Sequence, residues 1–184
     1  MKRLAIVLIL ALGLLSTGSA AAQNGPSVYF QPGVTSNHFT GDVGRYASGS
    51  IGIAAMQGIQ FGLMGAYLAL GTDFHLTNQP PPPYSRGLQT FTIATGLRIA
   101  PQIAPVRPMF GIEYANLGVV SNTLNRFTGN RLGFNAIGAN AAARWRFMPP
   151  FYVEAQANVR YFVDMRSPVA SIGGGIYLGL SGQL

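Results

Sequence analysis

Apolar and polar side chains alternate one by one along much of this chain, most clearly in the segment FYVEAQANVRYFVD at residues 151–164. One parity of this segment is apolar. The other parity carries the polar side chains Glu154, Gln156, Asn158, Arg160 and Asp164. Because consecutive side chains of a β-strand point to opposite faces, the pattern predicts a strand with one apolar face and one polar face. Its 14 residues exceed the usual strand length of about 5 to 6 residues.

The same alternation predicts eight strands, at 27–35, 48–56, 58–71, 89–100, 106–119, 132–147, 151–164 and 171–184. Short connections alternate with longer ones, and the longer ones cover 36–47, 72–88 and 120–131. The prolines Pro80–Pro83 exclude the second long connection from any sheet interior. Short turns at one end and longer loops at the other are typical of an antiparallel up-and-down barrel of the outer-membrane type.

The composition indicates which face of such a barrel points outward. Hydrophobic residues make up 48% of the chain and charged residues only 9%, whereas an average soluble domain has about 25% charged residues. A soluble barrel would be apolar inside and charged outside, and this chain has too few charges to cover such a surface. We therefore predict an all-β, eight-stranded antiparallel up-and-down transmembrane β-barrel over residues 23–184, with apolar rows facing lipid and a polar lumen. The third strand is an exception, because Met64 and Leu68 make its inner face apolar as well.

The first residues predict export. Lys2 and Arg3 precede an apolar run, and a small-residue tail ends at Ala22, which is the pattern of a secretory signal peptide over residues 1–22. The exported part would have a net charge of about +5 and no lysine. Dispersed arginines on an exported chain argue against nucleic acid and favour anionic lipid headgroups as partners.

The polar parities predict a network inside the lumen. If the turn between the sixth and seventh strands is centred near Pro149, Arg144 lies opposite Glu154 and Asn140 lies opposite Asn158. The predicted network consists of Arg98, Glu113, Asn140, Arg144, Glu154, Asn158 and Arg160. One interpretation is a structural plug that fills a narrow interior; the other is a gated or anion-selective path.

Aromatic residues near strand ends predict an interfacial girdle. Its predicted members are Trp145, Phe147 and Phe151 near the short turns, and Tyr67, Phe91 and Tyr161 toward the loops.

Catalytic, metal-binding and cofactor-binding motifs are not found in the sequence. His38 and His75 both fall in predicted external loops and do not have the spacing of a metal site. Ser36, His38 and Asp42 share one loop and could form a hydrolytic set, although nothing in the sequence fixes their geometry. We therefore do not predict an enzyme, and keep lipid A modification as a less favoured hypothesis.

Taken together, these strands, turns and faces resemble the small outer-membrane β-barrels of bacteria, of the OmpA transmembrane-domain, OmpX and OmpW kind. The resemblance implies insertion into the bacterial outer membrane by the barrel-assembly machinery, among outer-membrane lipids and lipopolysaccharide. The expected role is structural, or adhesion and surface interaction with an extracellular partner that the sequence does not identify. The alternative is a narrow conduit for small or hydrophobic solutes, which the apolar inner face of the third strand favours.

Overall fold

A computed structural model describes residues 25–77, 87–101, 106–119, 133–165 and 168–183. The predicted signal peptide at 1–22 lies outside the described residues, and so do Pro80–Pro83 and the predicted loop at 120–131.

The described chain forms a closed antiparallel barrel of eight strands in which each strand pairs with its sequence neighbours and the last pairs with the first. The strands are β1 (Ser27–Phe39), β2 (Ala47–Phe61), β3 (Met64–Thr77), β4 (Gly87–Ile99), β5 (Val106–Val119), β6 (Gly133–Met148), β7 (Phe151–Phe162) and β8 (Ala170–Gln183). One short helix, α1 (Gly41–Tyr46), connects β1 to β2. The fold class predicted from the sequence is confirmed. No helix within the described ranges is long and apolar enough to cross a membrane.

The two ends of the barrel differ. We call the end with the turns at residues 62–63 and 149–150 the short-turn end; β1 begins there and β8 ends there. The opposite end, which we call the loop end, carries α1 and the connections between β3 and β4, β5 and β6, and β7 and β8.

The predicted turn between the strands at 48–56 and 58–71 is wrong. β2 continues to Phe61, and the chain reverses at Gly62, whose φ of +53° lies in the left-handed region that favours glycine. The two-residue turn at 62–63 interrupts the predicted third strand and pairs Phe61 with Met64 on the same face, so the inward parity reverses after the turn. In β3 the lumen therefore receives Tyr67, and Met64 points outward.

The exposed fraction of each side chain shows which face of its strand points outward and which points into the lumen. Large apolar side chains point outward on all the strands, for example Ile112 at 67% and Ile176 at 66% exposure. The buried charged side chains point inward instead: Glu154 is 0% and Arg98 is 2% exposed. The closed sheet pairs the backbone polar groups of neighbouring strands, as a strand-built structure in lipid requires.

Inside the lumen, each of four tyrosine rings lies over a glycine of the neighbouring strand. The pairs in register are Tyr29 with Gly58, Tyr67 with Gly96, Tyr152 with Gly179, and Tyr177 with Gly33. A Cβ atom built on Gly96 would lie 2.5 Å from the Tyr67 ring. These glycines leave the space that allows a narrow barrel to hold large rings.

Replacing Gly96 by alanine should therefore destabilise the barrel by about 1–3 kcal/mol, because the added methyl group overpacks the ring. The measurement is the free energy of unfolding in denaturant from lipid vesicles. Gly49→Ala on β2 is the control, since a Cβ there would have no atom within 4 Å. A Gly96→Ala loss no greater than that of Gly49→Ala would contradict the close packing of Tyr67.

Apolar side chains fill the lumen at the loop end. Phe39, Val43, Phe134, Phe162 and Val169 are each at most 3% exposed and form one cluster. Val43 comes from α1, so the short helix packs over the barrel mouth instead of extending into solvent.

Candidate functional site

Glu154 is the centre of the polar lumen. Its carboxylate accepts a hydrogen bond from Arg98 Nη1 at 2.8 Å, from Arg144 Nη2 at 2.8 Å and from Gln31 Nε2 at 3.1 Å. The register predicted from the sequence is confirmed, because Arg144 pairs with Glu154 and Asn140 pairs with Asn158 across β6 and β7. One buried carboxylate thus forms ion pairs with two buried guanidinium groups.

Tyrosine rings cover both of these guanidinium groups. Arg98 Cζ lies 4.3 Å from the Tyr67 ring centroid, and Arg144 Cζ lies 4.1 Å and 4.7 Å from the Tyr152 and Tyr29 centroids. Cation–π contacts are stronger where the cation is desolvated, as it is here. The rings therefore stabilise the second positive charge, which Glu154 alone does not neutralise.

A chain of hydrogen bonds joins this cluster to a second ion pair nearer the loop end. Arg98 Nε donates to Asn140 Oδ1 at 3.1 Å, and Asn140 Nδ2 donates to the Tyr67 hydroxyl at 2.9 Å. That hydroxyl donates to Glu113 Oε2 at 2.5 Å, and Arg160 Nε donates to Glu113 Oε1 at 2.6 Å. The structure thus connects six of the seven residues of the predicted network; the seventh, Asn158, is a buried residue beside them in the lumen.

The girdle prediction for Tyr67 is wrong: this residue is 3% exposed and lies in the lumen. The structure places the other five residues of that set, Phe91, Trp145, Phe147, Phe151 and Tyr161, on the outer face, between 37% and 53% exposed. The same shift of parity removes the predicted apolar inner face of β3, because Met64 is 61% exposed and Leu68 points outward with it.

The predicted positions of both histidines in external loops are wrong. His75 lies on β3, is 2% exposed, stacks on Phe39 at 4.9 Å and bonds through Nε2 to Thr90 Oγ1 at 3.1 Å. His38 lies near the end of β1 and is exposed on the outer face, as is Ser36. Asp73, Glu113 and Glu154 all point into the lumen, so none of these carboxylates is available to orient His38.

At the short-turn end, Arg107 binds backbone carbonyls of two neighbouring connections. Its Nη2 donates to the Gly62 oxygen at 2.7 Å and to the Ala100 oxygen at 2.9 Å. Between Arg107 and the apolar cluster of the loop end, side chains fill the interior around cavities of about 30 and 10 Å³. Chemically, this arrangement is a set of ion pairs that fills space, with guanidinium groups held by carboxylates and rings.

The fold is shared with solved outer-membrane proteins. Neisserial surface protein A is 12% identical, with a TM-score of 0.61 over 88% of this chain and 100% of that one. Ail, the attachment invasion locus protein of Yersinia pestis, is 12% identical, with a TM-score of 0.54 over 87% and 100%. A major outer membrane protein from Thermus thermophilus is 11% identical, with a TM-score of 0.50 over 84% and 99%.

The chain therefore has the fold of the small eight-stranded outer-membrane β-barrels, and the resemblance predicted from the sequence is confirmed for the fold. At such low identity the likeness concerns the fold alone. No protein-family model matches the sequence, and no curated protein matches it either.

Proposed function

We propose that this protein is an integral protein of the bacterial outer membrane whose role is structural or lies in interactions at the cell surface. The observation that carries the proposal is the facing pattern, with large apolar side chains outward on every strand and ion pairs inward. An apolar surface that encircles the whole barrel is far larger than the patches that monomeric soluble proteins expose. Such a surface is suited to contact with lipid. Closure of the sheet also leaves no strand edge whose unpaired backbone N–H and C=O groups would face the lipid.

A packed lumen favours a structural or surface role over transport. The ionic clusters, Arg107 and the apolar cluster of the loop end fill successive levels of the interior. The one sequence feature that favoured a conduit, an apolar inner face on β3, is absent from the described strand. An eight-stranded barrel has room inside for little more than its own side chains.

Reconstituted into planar bilayers, the protein should therefore give no stable conductance steps above those of a protein-free membrane. The control is Arg98→Ala, which removes one side chain of the ionic cluster from the lumen. Conductance should rise in this variant only if the loss of that side chain opens a continuous path through the barrel. Regular steps from the wild-type protein that disappear when Arg98 or Arg144 is replaced would contradict the packed lumen and support the conduit.

The loop end is the surface that we propose for interaction. By sequence position, its connecting segments contain Arg45, Arg86, Arg126, Arg131 and Arg166 against the acids Asp42 and Asp164. Such a basic excess suits phosphates of lipopolysaccharide or an anionic extracellular partner. Insertion would depend on the barrel-assembly machinery, as for other proteins with this architecture.

Heparin is a suitable anionic probe, since Ail of Yersinia pestis has been crystallised with the heparin analogue sucrose octasulfate. Cells that display this barrel should bind immobilised heparin more than cells that lack it. A variant with residues 120–132 replaced by a Gly-Ser linker of equal length should bind less, whereas a Gly-Ser replacement of Gly62 and Leu63 at the short-turn end should not. Equal binding by all of these cells would contradict an anionic partner for the loop end.

A further inference from the structure

A cavity with many polar groups in its wall lies in the lumen between the Glu113–Arg160 pair and the apolar cluster of the loop end. Its volume is about 30 Å³, which exceeds the roughly 10–15 Å³ that one water molecule needs. Its wall combines the apolar side chains of Ala54, Met56, Ala69 and Leu70 with polar ones, which are Thr35, Asn37, Asp73, Thr92, Glu113, Gln156, Asn158, Arg160 and Tyr177.

Four oxygen atoms of this wall have no hydrogen-bond partner among the residues that the structure describes. They are Asn37 Oδ1, Thr92 Oγ1, Gln156 Oε1 and Asn158 Oδ1, each on a residue that is at least nine-tenths buried. The Asn37 amide has a defined orientation, because its Nδ2 donates to Asp73 Oδ2 at 3.0 Å and leaves Oδ1 unpaired. Unpaired buried oxygens of this number are costly unless something in the cavity donates to them or binds them.

The cavity wall also has one carboxylate, Asp73, that forms no ion pair with any of the described residues. Asp73 is 4% exposed and accepts hydrogen bonds from neutral groups, from Thr35 Oγ1 at 3.0 Å and from Ser50 Oγ at 3.3 Å in addition to Asn37. The ion pairs of the described lumen do not include Asp73, whereas Glu113 is neutralised by Arg160. Buried charges in proteins are ordinarily paired or bound to a metal ion.

Two glycines of neighbouring strands make room for these groups. A Cβ on Gly52 would clash with Asp73 Oδ1, and a Cβ on Gly173 would clash with Asn37 Oδ1. A side chain at either position would displace the carboxylate or the amide, so the observed positions of Asp73 and Asn37 depend on these glycines.

We propose that this cavity binds one hard monovalent cation, with sodium as the first choice, through the Asp73 carboxylate and the unpaired amide and hydroxyl oxygens. Hard cations take oxygen ligands, and a single positive charge matches the single carboxylate that has no ion-pair partner. A divalent ion fits less well, since Arg160 lies in the same wall and calcium sites usually supply several carboxylates. The described residues also contain no cluster of three or more His, Cys, Asp or Glu side chains of the kind that holds a multivalent metal ion.

Thermal unfolding of the refolded protein in detergent, in sodium chloride and in choline chloride of equal ionic strength, tests this proposal. Choline is too large for the cavity, so only sodium should stabilise the folded state. At a tenfold excess over its dissociation constant, sodium should raise the unfolding midpoint by about 3–6 °C. Asp73→Asn should abolish the sodium response, and Asp164→Asn, which removes a carboxylate outside the cavity, should leave it intact.

A second variant keeps the test decisive if Asp73→Asn does not fold. Thr92→Val removes one unpaired oxygen with little change of shape and should shift the sodium response to higher concentration. Equal wild-type midpoints in the two salts would overturn the proposal and leave water in the cavity. A sodium response retained in Asp73→Asn, or a larger response to calcium than to sodium at equal ionic strength, would overturn it as well.

Discussion

Glu154→Gln should lower the free energy of unfolding by about 3–5 kcal/mol, because it leaves two buried positive charges with only neutral partners. Arg98 and Arg144 are 2% and 5% exposed, and both form their ion pairs with Glu154. Glutamine keeps the shape and one acceptor oxygen of the side chain but loses the charge. Unfolding in denaturant from lipid vesicles measures the effect, with the emission of Trp145, the single tryptophan of the chain, as the signal.

Two further variants test whether the loss of stability in Glu154→Gln comes from the unpaired buried positive charges. Glu113→Gln should have a smaller effect, since its partner Arg160 has a side chain that is 12% exposed and borders a cavity. Adding Arg144→Gln to Glu154→Gln should restore part of the lost stability, because one of the two unpaired charges is removed. A Glu154→Gln protein as stable as wild type would show that the lumen does not depend on this ion-pair cluster.

Ile112→Arg should cost about 2–4 kcal/mol of unfolding free energy, the range for arginine on the lipid face near the bilayer midplane. Ile112 is 67% exposed on the outer face, at the middle of β5, where it pairs with Leu97 and Ala139. Arginine at this depth would have to desolvate or thin the bilayer around it.

Val106→Arg is the matched control for this substitution. Val106 is on the same face of the same strand but at its short-turn end, where arginine should cost about 0–1 kcal/mol in the headgroup region. Equal costs at the two positions, or a larger cost at Val106, would contradict a lipid-facing band whose midplane lies at the middle of β5.

The hairpin of β6 and β7 could be predicted from the sequence down to its register. In β6 from Ile137 to Phe147 and in β7 from Val153 to Arg160, all polar side chains share one parity. A turn centred near Pro149 then leaves one register that places Arg144 against Glu154. In this hairpin the burial requirement and the turn agree, so periodicity alone identified the lumen residues around Glu154.

The hairpin of β2 and β3 could not be placed in the same way. Residues 57–71 contain glycine, alanine and large apolar side chains on both parities, so no polar row marks the lumen. Tyrosine occurs on both faces of this barrel, as Tyr67 inside and Tyr161 outside show. The residue type alone therefore does not indicate whether the Tyr67 side chain points into the lumen or outward. The structure settles the parity through the turn at Gly62.

The polar lumen residues near the loop end could not be distinguished from loop residues in the sequence, because both are polar. Asp73 and His75 fell within a predicted connection, yet β3 continues to Thr77 and turns both side chains inward. Polar residues at the end of a strand in a small barrel are compatible with either environment, and only the pairing of β3 with β2 and β4 distinguishes them.

Heat-modifiability is the most direct test of a closed membrane barrel. The protein, refolded in detergent micelles, is compared with and without boiling on a denaturing gel, and its circular dichroism is recorded before heating. We expect a sheet-rich spectrum and a mobility that changes only on boiling, because the closed strand ladder resists the gel detergent until heat opens it. A protein that runs at one position with or without boiling and stays soluble without detergent would contradict the assignment of the apolar face to lipid.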